Sequence, residues 1–198
     1  MNVAGIVLAA GHSTRMRINK LLLRIEGETL VRRATRVALE GGLDPVLVVL
    51  GHDADIVAAE LAHLACVAVP NPRHELGLNT SLDAGIAAVP AAAAAAVVLL
   101  ADMPLVTAAM IRSLVVRRRA TGAALVASRY GAVVAPPALY ARALFDELRG
   151  GEGDGRGREV LRRRASEVAW VDWPATALAD VDEAGDLERA RREAGERP

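Results

Sequence analysis

The chain has 198 residues, 53% of them hydrophobic and 24% charged, enough apolar side chain for one domain with a real core and too much for a disordered chain. Its net charge is zero and only 3% of residues are aromatic, which argues against duplex binding and against stacking platforms for single-stranded nucleic acid. One cysteine, Cys66, rules out an internal disulfide and a thiolate cluster, and the most apolar window, AAAAAAVVLLA (91–101), is too short to span a bilayer. Without a basic n-region and cleavage site at the start, cytoplasm is the expected compartment, and a small molecule the expected partner.

Val3–Ala9 reads as a buried strand, followed by a loop with Gly11, Arg15, Arg17 and Lys20. Lys20 is the single lysine among 24 basic side chains. A glycine, exposed amides and clustered cations after a buried strand suit an anion, although a strand–helix turn with a solvated basic face has the same composition. The spacing fits neither a Walker A loop nor GxGxxG.

A helix is expected over Thr29–Glu40, closed by Gly41-Gly42, then a strand at 45–50 and a helix capped by Asp53 or Asp55 that runs to Leu64. ACVAV (65–69) reads as a third strand and NPRHELGLNTS (71–81) as a polar loop, with Thr80 and Ser81 capping a helix near Leu82–Ala88. Gly77 offers backbone there for contact with a sugar or base edge.

AVVLLA (96–101) is a fourth strand, broken by Asp102-Met103-Pro104. A carboxylate where a buried strand surfaces either caps a helix or holds a hard cation such as magnesium; Thr107 is the better cap for the next helix. AALVAS (123–128) is a fifth strand, Val133-Val134 a short one, and Pro136-Pro137 opens a helix through Leu148. GGEGDGRGR (150–158) reads as a flexible charged loop, VAWVDW (168–173) as a late strand and Asp186–Ala194 as a last helix. Asp180, Asp182 and Asp186 either cap that helix or bring one carboxylate beside Asp102.

Continuous apolar strands alternating with helices make an α/β fold, a mostly parallel sheet covered on both faces. Ligands of such sheets gather at the carboxyl ends of the strands, at a switch in strand order, which singles out the loops after Ala9, Leu50, Val69 and Ala101. The four histidines show no zinc spacing, and no GxSxG elbow occurs.

LAAGHSTRMRINKLL (8–22), GLNTSLDAG (77–85), LLADMPLV (99–106) and ADVDEAGDL (179–187) together resemble the MobA-like nucleotidyltransferases, and more closely the molybdenum cofactor cytidylyltransferases. The matching family segments are LAAGxSxRMGxxK, GxxxSLxAG, ADMPxV and DxDTPEDL, in that order. The resemblance implies a single domain over 1–198, a three-layer α/β/α sandwich with a Rossmann-like sheet of the nucleotide-diphospho-sugar transferase type. Its nucleotide-binding half would cover about 1–106 and its acceptor-binding half about 107–198.

The implied reaction is magnesium-dependent transfer of a nucleoside monophosphate, from CTP, to a molybdopterin-type cofactor with release of pyrophosphate. The implied nucleotide site is the backbone of Leu8, Ala9, Ala10 and Gly11 with Thr80 and Ser81 near base and ribose. Arg15 and Lys20 would neutralise the triphosphate, and Asp102 would bind magnesium with Asp182 as second ligand. The implied macromolecular partner is a molybdoenzyme or its chaperone, with no nucleic acid and no membrane. The double alanine at 9–10 is similar to the cytidylyl-transferring branch.

The departures from the pattern are Arg17 in place of a glycine, DEAGD in place of DTPED, APPALY (135–140) where the relatives carry GHPVLF, and GDGRGR (153–158) where they carry GDRGAR. The last two fall in the acceptor half. They leave open a sugar phosphate or other small phosphorylated acceptor, and a non-catalytic nucleotide- or cofactor-binding protein of the same fold.

Overall fold

The computed structural model of the chain describes residues 2–11 and 19–179, with positions 186 and 188. β1 (Val3–Ala9) is buried at all seven positions, a run of small and aliphatic residues that suits a strand covered on both faces. A two-stranded hairpin, β2 (Arg24–Ile25) and β3 (Glu28–Thr29), leads into α1 (Leu30–Glu40). β4 (Val46–Leu50), α2 (Ala54–Glu60), β5 (Cys66–Pro70), α3 (Leu78–Ala88) and β6 (Ala95–Leu100) complete the first half. The second half holds α4 (Ala108–Thr121), β7 (Leu125–Tyr130), β8 (Val133–Ala141), α5 (Phe145–Leu148), α6 (Arg156–Arg163) and β9 (Val168–Trp173).

Seven of these strands form one sheet in the order β5-β4-β1-β6-β8-β7-β9. All pairings are parallel except those of β8, which runs antiparallel to both β6 and β7. Successive residues of a strand face opposite sides. Val7, Ala9, Val97 and Leu99 therefore join a core under α1, α2 and α4, whereas Ile6, Leu8, Ala96 and Val98 join a second core under α3, α5 and α6. The result is a three-layer α/β/α sandwich. Full burial of each large aliphatic side chain, such as Leu30, Ile111, Leu139 or Leu148, contributes roughly 1.5–3 kcal/mol. At Gly85 a Cβ would lie 2.5 Å from Ile6 Cγ2, so glycine lets α3 settle directly onto β1.

Several elements differ from the sequence expectation; α2, expected to run to Leu64, ends at Glu60. Pro136 and Pro137 do not open a helix; they lie inside β8, at an irregularity in its pairing with β7 between Ala127 and Arg129. On its other side β8 pairs with β6 only from Ala138 onward, so the missing proline N–H groups interrupt no regular ladder. Ser128 Oγ donates to Pro137 O at 2.7 Å and the Tyr130 hydroxyl to Pro136 O at 2.9 Å, which satisfies the two carbonyls the irregularity leaves over.

α3 begins at Leu78 rather than near Leu82: Thr80 and Ser81, which read as loop chemistry, are buried in its first turn with their hydroxyls bonded to Asn71. Segment 150–158 is only partly loop: α6 starts at Arg156. Of the last helix expected over 186–194, positions 186 and 188 are helical and the rest lies outside the described residues. Among the described residues, no helix is long and apolar enough to cross a membrane.

Candidate active site

The chain steps outward from β1 to β4 and β5, then returns to place β6 on the other side of β1. The switch in strand order therefore falls between β1 and β6, and the turns that follow these two strands face each other across it. The register pairs Leu8 with Leu100 and Ala9 with Leu50, so the carboxyl ends of β1, β4 and β6 finish in line.

Lys20 and Asp102 meet at this edge. Lys20 Nζ lies 2.6 Å from Asp102 Oδ2, with the two side chains 16% and 19% exposed. Lys20 opens a single 3-10 turn, Lys20–Leu22, anchored by buried Leu21 and capped by Asn19, whose Oδ1 accepts from Leu21 N at 3.1 Å. Asn19 Nδ2 donates to Asp53 Oδ2 at 3.3 Å, and His52 Nε2 lies 3.3 Å from the same oxygen. The lysine turn is thus tied to the loop after β4. Asp53 pays for this position with a left-handed backbone, φ 53°. Asp102 is held by the turn after β6, where Ala101 N donates to Leu8 O at 3.2 Å and Met103 N reaches Leu100 O at 3.5 Å. Its Oδ1 is buried and has no hydrogen-bond partner among the described residues.

Leu8, Ala9 and Ala10 are buried, and Gly11 is exposed, with nothing among the described residues within 4 Å of where a Cβ would stand. Ala10 packs beside Gly51, where a Cβ would come within 2.8 Å of the alanine methyl and 2.5 Å of His74 Cβ. The loops after β1, β4 and β5 therefore close on one another. Arg15 and Asp182 lie outside the described residues.

Thr80 and Ser81 are 1% and 3% exposed. Neither caps α3, whose N-cap is Gly77. Asn71, just beyond β5, donates through Nδ2 to Thr80 Oγ1 at 2.9 Å and to Ser81 Oγ at 3.0 Å. The Thr80 hydroxyl lies 2.9 Å from Arg73 O and 2.8 Å from Gly77 O. These hydroxyls join the loop after β5 to the first turn of α3.

A cavity of about 270 Å³ opens on the α3 side of the switch point. Leu8, Leu82 and Leu100 wall it from the first half of the chain, Pro136 and Tyr140 from β8, and Arg156 and Arg158 from the start of α6. Two of the segments that depart from the family pattern, APPALY and GDGRGR, thus line one space. Burial pushes the Tyr140 hydroxyl above its ordinary pKa, and it stays a neutral donor, 3.3 Å from Gly157 O. Sequence reasoning passed over Asn19, Asn71 and Tyr140, since an asparagine or tyrosine that acts by bridging elements has no local spacing to announce it.

Comparison with known proteins agrees with the fold. The chain is 37% identical over 147 residues to the bifunctional protein GlmU of Rhodopseudomonas palustris and 29% over 126 residues to that of Geobacter metallireducens, covering 73% and 63% of this chain. It spans 32% and 26% of those two relatives, about a third or less of their length. The crystal structure of Rv0371c from Mycobacterium tuberculosis superposes with a TM-score of 0.84 at 27% identity, covering 96% of this chain and 97% of that one. The Rv0371c homolog from Mycobacterium sp. strain JC1 gives 0.83 at 30% identity, covering 98% and 96%. The MobA-like NTP transferase domain matches residues 5–168, most of the sheet and both sides of the switch point. The chain belongs to the MobA-like NTP transferase family.

Proposed function

We propose that the protein is a magnesium-dependent cytidylyltransferase that moves CMP from CTP to a molybdopterin-type acceptor and releases pyrophosphate. The observation that carries this reading is the Lys20–Asp102 pair at the switch point. A cation and a carboxylate, both largely withdrawn from water, stand where the polyphosphate of a nucleotide would lie against the turn after β1.

The donor set fits a shared metal site. The described residues contain no group of three or more His, Cys, Asp or Glu side chains able to cage an ion. Asp102 Oδ1 is a buried hard oxygen without a hydrogen-bond partner among the described residues. Magnesium is characteristically held by one or two carboxylates with phosphate oxygens and water completing the shell. Rv0371c has a structure in complex with manganese, another divalent ion, which supports a divalent site in this chain as well. Asp102 would hold the ion, with Asp182 as second ligand. When bound, the ion supplies Lewis-acid polarisation of the phosphate oxygens.

The chain's own groups do the positioning. Lys20 exchanges its carboxylate partner for phosphate oxygens, to which a compact ammonium offers three donors. Arg15 adds a second counter-charge, and the turn at Ala9–Gly11 receives the nucleotide along its backbone, with Thr80 and Ser81 towards base and ribose. The double alanine at 9–10 supports cytosine over guanine. The acceptor occupies the cavity, the flat face of its ring against Leu8, Leu82 and Leu100 and its anionic end towards Arg156 and Arg158. An oxygen of the acceptor phosphate attacks the α-phosphorus in line, the bond to the β-phosphate breaks, and pyrophosphate leaves. A phosphate nucleophile is already ionised, so no general base is required. Rate comes from orientation and from charge neutralised in place.

Pyrophosphate release, measured with each of the four common nucleoside triphosphates with and without molybdopterin, tests the reading. Release that needs both CTP and molybdopterin is the expected result. Release with UTP and a sugar phosphate instead would move the acceptor assignment, and inertness with every nucleotide would overturn catalysis.

A further inference from the structure

Segment 149–156 has the composition of a loose loop, with four glycines at positive φ: Gly150, Gly151, Gly153 and Gly155. It is nevertheless strapped to the start of α3. Asn79 is the centre of the strap. Its backbone N donates to Gly153 O at 2.9 Å, its Nδ2 to Glu152 O at 3.0 Å, and its Oδ1 accepts from Arg156 N at 2.9 Å. From the other side Asp154 Oδ1 accepts from Leu78 N at 2.7 Å, an end-of-helix amide that α3 itself cannot satisfy. Gly153 N donates to Leu76 O at 2.7 Å. Gly77, at φ +104°, makes the contact possible, since a Cβ there would stand 2.5 Å from Gly153 O. The close backbone approach at Gly77 is thus to Gly153.

A purely stabilising role explains this poorly. Residues 149–154 are exposed, so the strap seals no core. What it fixes is a wall: Asn79, Asp154 and Arg156 all line the cavity. Asn79 belongs to the nucleotide half of the chain and Arg156 to the other, and the bond between them spans the two.

We propose that Asn79 and Asp154 are positioning residues for the acceptor. They hold segment 152–156, and with it Arg156, as a fixed wall of the cavity, setting acceptor affinity and leaving nucleotide affinity alone. This rests on the cavity's being the acceptor site of a nucleotidyltransferase.

The test is steady-state pyrophosphate release with CTP and molybdopterin by the wild type, Asn79→Ala, Asp154→Ala and Asp154→Asn, with amide hydrogen exchange on the same proteins. Both alanine variants are expected to raise KM for molybdopterin about tenfold while KM for CTP stays put, and to speed exchange at Gly153 and Arg156. Asp154→Asn keeps an oxygen for Leu78 N and is expected to restore acceptor KM. Should Asn79→Ala fail to fold, the exposed Asp154 pair of variants decides. A parallel rise in KM for CTP, a fall in kcat with both KM values unmoved, or Asp154→Asn behaving like Asp154→Ala would overturn the proposal alone. A wild type inert with CTP and molybdopterin would overturn the assigned reaction and the proposal with it.

Discussion

Lys20 Nζ and Asp102 Oδ2 stand 2.6 Å apart, each carried by the turn that follows one of two neighbouring parallel strands. Neither residue is near the other in sequence. β1 and β6 bring them together because the strand order reverses between those strands, and a reversal leaves an open crevice at the carboxyl edge. The pair therefore belongs to the topology as much as to the two side chains.

Asp102→Asn keeps the size of the side chain and removes its charge. We expect the fold to persist, judged by circular dichroism, and pyrophosphate release to fall by about a hundredfold or more. Chelating divalent ions from the wild type should have the same effect, reversed by added magnesium. Rates within a few-fold of wild type would remove Asp102 from the site.

Lys20→Arg preserves charge and replaces a compact ammonium with a planar fork on a longer stem. In a turn held between Asn19 and Leu21, with Lys20 only 16% exposed, the fork has little room to adjust. The expected result is a drop of about tenfold or more in kcat/KM for the nucleotide, read from initial rates. Unchanged kinetics would show that any cation serves there.

Asn71→Ala tests the network beneath α3. Asn71 is 4% exposed, and its loss leaves the hydroxyls of Thr80 and Ser81 without their amide donor in a buried place. The cost should be about 1–3 kcal/mol, seen as a Tm lowered by several degrees. A Tm equal to wild type would mean that water replaces the amide without penalty.

A fourth expectation concerns acid. Arg164, 2.6 Å from Glu147 Oε1, holds the Glu147 carboxyl below the usual range. A carboxyl with a depressed folded pKa stabilises the fold above its unfolded pKa and loses that contribution as pH falls through the folded one. Arg164→Ala should therefore lower the urea midpoint slightly near neutrality and leave it unchanged well below about pH 4. The effect is small because the pair is solvent-screened; a gap that persists in acid would assign it to packing.

The elements that were legible from sequence share one property: their apolar pattern is local. β1, β4, β6 and β9 are short apolar runs, and Thr107 caps α4 by accepting from Met110 N at 3.2 Å, as its spacing implies. What sequence concealed depends on partners far along the chain. Pro136-Pro137 has helix-opening chemistry, yet a pairing irregularity opposite Ser128 accommodates it in a strand. α6 buries only Val160 fully, so its pattern is too sparse for a periodic signal. In the site, Lys20 and Asp102 were marked by composition and by the strand ends they follow. Asn79 carried no such mark, because its bonds reach Glu152, Gly153 and Arg156.

The central claim is that a triphosphate lies against the turn of Lys20 and is bridged to Asp102 through a divalent ion. A crystal structure with magnesium and a non-hydrolysable CTP analogue tests it most directly. The account predicts phosphate oxygens within hydrogen-bond distance of Lys20 Nζ and Asp102 among the ligands of the ion. An analogue whose phosphates point away from both residues, or an ion bound without Asp102, would contradict it.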